Sequence, residues 1–98
     1  MDLIYYYEMG SAKAMNKLLD EEFWKRLGPT VRECKAMGWD KEGFCLHIKA
    51  RDEVAEEARK QLANSPAKEL KGEDMEKLLN AFQEEAESAE AGMGAMFG

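Results

Sequence analysis

No apolar run in this chain approaches the roughly 18 residues that cross a bilayer. The opening stretch MDLIYYYEMG carries an acidic flank and none of the basic residues that begin a signal peptide. Both absences predict a cytoplasmic chain with no membrane partner. Cationic charge is in short supply too: 14 Lys and Arg stand against 20 Asp and Glu, a net charge of −6. Affinity for a phosphate backbone comes from Lys and Arg, so a broad grip on nucleic acid is not favoured. The chain also lacks a Gly-rich phosphate loop, a Cys-x-x-Cys pair and a Gly-x-Ser-x-Gly elbow. His47 is its one histidine. No catalytic residue is assigned, and no enzyme activity is expected.

What remains is a composition of 45% apolar and 35% charged residues over 98 positions, that of one domain with a modest core. Val31 to Ala50, VRECKAMGWDKEGFCLHIKA, organises it. The stretch reads as two strands joined by the turn Asp40-Lys41-Glu42-Gly43, with Trp39 opposite Phe44. In that register one face carries Val31, Met37, Trp39, Phe44, Leu46, Ile48 and Ala50, interrupted by Glu33 and Lys35. The other carries Arg32, Cys34, Ala36, Gly38, Cys45, His47 and Lys49. Side chains alternate along a strand, so the apolar face should be covered by flanking helices.

The same register sets Cys34 and Cys45 roughly 13 Å apart, beyond the span of a disulfide, and predicts two reduced thiols. Together with His47 they make a ligand set strung along a flat sheet, which does not converge on a tetrahedral metal. A Cys–His nucleophile would lack an orienting acid and oxyanion donors. Of the seven methionines, Met15 and Met75 fit helical core positions, and Met93 and Met96 are too few thioethers for copper. No metal or cofactor is assigned.

Taken in order, Asp2 to Glu8 is a strand of high β propensity. Ser11 caps an amphipathic helix to Leu27 with the stripe Ala12, Met15, Leu18, Leu19, Phe23 and Leu27, and Gly28-Pro29 stops it. After the hairpin, Asp52 caps a helix with Val54, Ala55, Ala58 and Leu62 on its inner face, broken at Asn64-Ser65-Pro66. Ala67 to Lys71 reads as a short edge strand. A third helix follows Gly72, with Met75, Leu78, Leu79, Phe82, Ala86 and Ala89 as its stripe. The order is that of an α+β, ferredoxin-like split βαβ sandwich: an antiparallel sheet with two helices on one face, and the first strand beside the third. Residues 1–72 form this core, 73–91 an added C-terminal helix and 92–98 a flexible Gly/Met tail. The added helix has three places to go: over the open sheet face, into the helical layer, or onto a second subunit.

Gly43 to Ile48 is similar in part to an RNA-recognition-motif signature, with Leu46 where that family has an aromatic. Tyr5, Tyr6 and Tyr7, with Arg32, His47 and Lys49, make a candidate open-face surface for stacking RNA bases. The competing expectation is that this face is covered, by the third helix or in a homodimer.

The last residues carry the more specific likeness. Glu84 to Ala91, followed by Gly92-Met93-Gly94-Ala95-Met96-Phe97-Gly98, resembles the C-terminus of the archaeal ribosomal stalk protein. There an acidic, alanine-rich stretch ends in Gly-Leu-x-x-Leu-Phe-Gly. Met93 and Met96 stand in place of the two leucines, a volume-conserving change. The rest of the chain does not resemble the all-helical stalk domain. The resemblance implies that Met93, Met96 and Phe97 enter a hydrophobic groove on a translation factor or ribosomal component. Their spacing, i, i+3 and i+4, is one face of a helical turn. The function expected is therefore a non-enzymatic accessory protein of the archaeal translation apparatus, a homodimer that docks on a ribosome or factor and presents the tail. The alternatives are a dimeric regulatory module binding a small molecule or protein, and RNA binding on the open sheet face.

Overall fold

A computed structural model describes the backbone of residues 1–97 and the side chains of residues 1–87. Four strands, β1 (Asp2–Tyr7), β2 (Thr30–Glu33), β3 (Phe44–Lys49) and β4 (Lys68–Glu69), form one antiparallel sheet in the order β2-β3-β1-β4. The helices are α1 (Ala12–Leu19), α2 (Glu22–Leu27), α3 (Asp52–Ala63) and α4 (Glu73–Phe97). This is an α+β fold with β1 beside β3, compatible with a ferredoxin-like plan. The expected tail, residues 92–98, lies outside the residues whose side chains are described.

Pairing of β1 with β3 sets which side chains share a face. Leu3, Tyr5 and Tyr7 stand opposite Ile48, Leu46 and Phe44. These residues form one core with Met15, Trp24, Ala55, Ala58 and Leu62 from α1, α2 and α3. Ile4, Tyr6 and Cys45 point the other way, into a second core closed by Leu78 and Phe82 of α4. The helix added after the fourth strand thus covers the face that the first three leave open. Arg32 at the sheet edge holds α4 as well, its Nε donating to Glu85 Oε1 at 2.7 Å.

The hairpin register differs from the sequence reading. Glu33, not Trp39, stands opposite Phe44, a slide of six residues. An even slide returns each paired strand residue to its expected face, so Val31, Leu46 and Ile48 still face the first core. Residues beyond Glu33 do not follow. Cys34 turns into helical φ/ψ, Lys35–Met37 make a single 3-10 turn, and Gly38 takes the left-handed conformation (φ 80°). Met37 and Trp39 consequently pack in the second core rather than the first. The physical reason lies in the charges. A strand continued to Trp39 would have set Lys35 on the apolar face, whereas the turn leaves it exposed.

The helix expected from Ser11 to Leu27 is two. Glu21 is extended (φ −69°, ψ 152°) and separates α1 from α2. Asp20-Glu21-Glu22 explains the break, because carboxylates are unfavourable at a helix C-terminus and favourable at an N-terminus. Ser11 and Asp52 make no side-chain caps; Ser11 belongs to a 3-10 turn, and Asp52 is the first residue inside α3. Gly28 does take the left-handed position after α2 (φ 65°).

Candidate functional site: a charged cleft at one end of the sheet

Three of the expected open-face residues do converge. Arg32, His47 and Lys49 line a cleft of about 380 Å³ between the β2–β3 edge and α4, with Asp2, Thr30, Phe82 and Glu85. Each is placed by the sheet. Thr30 and His47 are register partners on β2 and β3, and Asp2 at the start of β1 pairs with Lys49 at the end of β3. His47 Nε2 lies 3.0 Å from Asp2 Oδ1, and its ring lies 5.2 Å from that of Phe82. The imidazole is 14% exposed, so its orientation is held by a carboxylate on one side and α4 on the other.

Tyr5 and Tyr7 are not part of this surface. Both are buried in the first core; the Tyr5 hydroxyl donates to Glu69 Oε1 at 3.1 Å, and Tyr7 stacks on Phe44. Tyr6 lies on the α4 face but is also buried, its hydroxyl donating to the Glu42 carbonyl at 2.8 Å. An RNA platform needs bare aromatic faces. Strand alternation and the arrival of α4 remove it. Met93, Met96 and Phe97 lie outside the residues whose side chains are described.

Hydroxyl, imidazole and carboxylate stand on three neighbouring strands as Thr30, His47 and Asp2, an arrangement the sequence reading missed. It was legible only once His47 was known to lie opposite Thr30 and diagonal to Asp2. Acyl transfer would require donors for a developing oxyanion as well. The groups added here are instead the cations Arg32, already engaged by Glu85, and Lys49, the one left to retain a carboxylate or phosphate. Lys49 makes no ion pair among the described residues. A second, more open cleft of about 640 Å³, lined by Phe23, Leu27 and Val54 with Glu22, Arg26 and Arg51, shares Lys49 with the first.

The two cysteines overturn the distance inferred for them. Cys34 and Cys45 are both buried, with their sulfurs 3.0 Å apart. The slide in register is responsible: Arg32 opposite Cys45 places Cys34 just past the end of the ladder, its N–H donating to the Gly43 carbonyl at 3.0 Å. Burial pushes both thiols above the ordinary cysteine range, against the pull of the nearby Lys41. Among the described residues no group of three His, Cys, Asp or Glu is placed to hold a metal ion.

No family model matches this chain, and neither a curated protein nor a solved structure does. Among the described residues no helix is long and apolar enough to cross a membrane.

Proposed function

We propose that this chain is a non-enzymatic binding protein: a ferredoxin-like core whose fourth helix presents a stalk-like C-terminus to a translation factor or ribosomal component. The observation that carries the reading is the likeness of Glu84 to Gly98 to the archaeal stalk terminus, with Met93, Met96 and Phe97 as anchors. The attachment of α4 is consistent with it. Leu78, Phe82 and Glu85 fasten the helix to the sheet upstream of the motif. A helix face of this kind enters a partner's groove through residues one turn apart. The test compares the full chain with one lacking Gly92 to Gly98 in co-sedimentation with ribosomes and in pull-downs of purified translation GTPases. Recovery lost with the tail supports the proposal. Equal recovery from both chains removes the tail from it.

A second reading has its own observation. Arg32, His47 and Lys49 in one cleft favour a small anionic ligand, as in a regulatory module. A phosphate- or carboxylate-bearing metabolite would then raise the melting temperature by binding the native state. The shift should vanish in Lys49→Ala.

A further inference from the structure

We propose that Cys34 and Cys45 are a redox-active pair that closes reversibly into an intramolecular disulfide, with a small-molecule disulfide such as oxidised glutathione as the oxidant. The inference rests on the pair's geometry and is independent of the binding readings above. The sulfurs are 3.0 Å apart, and a bonded pair stands about 2.05 Å apart. Closure therefore asks for a shift of about 1 Å and no new strand register. Cys45 is fixed at the middle of the sheet, on a strand paired on both sides. Cys34 stands past the end of the ladder, where β2 gives way to the 3-10 turn.

Access comes through the connection 34–43. Lys35, Ala36, Gly38 and Asp40 to Glu42 are exposed, and the segment is held down chiefly by Met37 and by Trp39, whose ring meets Tyr6 edge-on at 5.6 Å. Its backbone hydrogen bonds are largely local, from Met37 and Trp39 N–H to the Cys34 carbonyl and from Gly38 N–H to Lys35, and one side chain reaches it from the sheet, the Tyr6 hydroxyl donating to the Glu42 carbonyl at 2.8 Å. Such a segment opens without unfolding the sheet. In the closed state burial keeps both thiols protonated, so exchange requires the opening. Lys41, carried on the same segment, favours the thiolate.

The exchange balances as follows. Cys34 releases its proton to solvent, and its thiolate attacks one sulfur of oxidised glutathione. The S–S bond breaks, one glutathione thiolate departs and a mixed disulfide remains. Cys45 then loses its proton and attacks the Cys34 sulfur, expelling the second glutathione thiolate. Two electrons have passed from the protein thiols to the oxidant's disulfide. The product ties the segment 34–43 to the central strands.

The experiment uses the full reduced chain equilibrated in glutathione buffers of rising oxidised fraction, quenched in acid, unfolded, alkylated and weighed. The expected product is a monomer about 2 Da lighter than the reduced chain, with no alkylatable thiol, reverting with dithiothreitol. Its melting temperature should rise by on the order of 10 °C, the cross-link constraining a short loop of the unfolded chain. Trp39→Ala, which loosens the covering segment, should speed oxidation several-fold. Two alkylatable thiols in the most oxidising buffer would overturn the proposal. So would a product made only of mixed disulfides or cross-linked dimers. An oxidation rate unchanged in Trp39→Ala would overturn the covering segment as its gate.

Discussion

At Gly43 a single missing atom permits the hairpin to close. Its φ of 131° is one that L side chains rarely adopt, and a Cβ built there would sit 2.6 Å from the Tyr7 carbonyl oxygen and 2.7 Å from the Tyr6 ring. Gly38 also has positive φ, yet a Cβ there meets nothing within 4 Å. The pair separates strain from collision. Gly38→Ala should cost about 1 kcal/mol in urea unfolding, and Gly43→Ala on the order of 3 kcal/mol, because backbone and ring must move too. Equal costs would show that only the dihedral matters.

The buried tyrosines make a second prediction at this scale. Tyr5 is pushed from 10.0 up to about 12 by burial, assisted by the charge of Glu69 and the hydrogen bond to it. Tyr6 and Tyr7 are raised as well, burial again leading. The unfolded chain therefore ionises first. The tyrosine contribution should be intact below about pH 10 and decline as pH rises from there through about 12, on top of a decline that the two raised thiols begin near pH 9.0. Urea denaturation across that window, with Tyr5→Phe losing part of the slope, checks the sign. A flat profile would mean that the phenols are hydrated in the native state.

Among the elements, the break between α1 and α2 decides which aromatic is core. A continuous helix places Phe23 on the stripe with Leu19 and Leu27; the extended Glu21 instead turns Trp24 inward, 1% exposed, with its Nε1 donating to Gln61 Oε1 at 2.8 Å. Trp24→Ala should cost about 3–5 kcal/mol by chemical denaturation, and the half-buried Phe23→Ala distinctly less. The reverse order would restore the unbroken helix. The same comparison marks what the sequence makes legible. Elements bounded by glycine, proline or strict alternation were readable: the turn at Gly28, the strand Phe44–Lys49, the stripe Leu78–Phe82. Features set by pairing at a distance were not. Cys34 meets Cys45 only through a β2–β3 register that a ten-residue connection leaves open, and His47 meets Asp2 only through the long-range pairing of β1 with β3. Three consecutive tyrosines look alike on paper, and the pairing of β1 with β3 sends two to one core and one to the other.

For the molecule as a whole, the position of α4 bears on self-association. The expected homodimer rested on an uncovered apolar sheet face. Ile4, Cys45 and the Tyr6 ring on that face are covered by Leu78 and Phe82, each no more than 5% exposed. The other face is closed by α1, α2 and α3. With both faces of the sheet occupied and a net charge of −6 opposing close approach, the chain should sediment as a monomer at tens of micromolar. Removing residues 73–98 returns the apolar face to water, and that shortened chain should associate or precipitate at the same concentration. Double substitution of Leu78 and Phe82 to Ala makes a milder version of the same lesion, expected to cost several kcal/mol while the helix sequence stays intact. Should the full chain sediment as a dimer and the shortened chain as a soluble monomer, α4 would be the dimer contact rather than the cover of its own sheet.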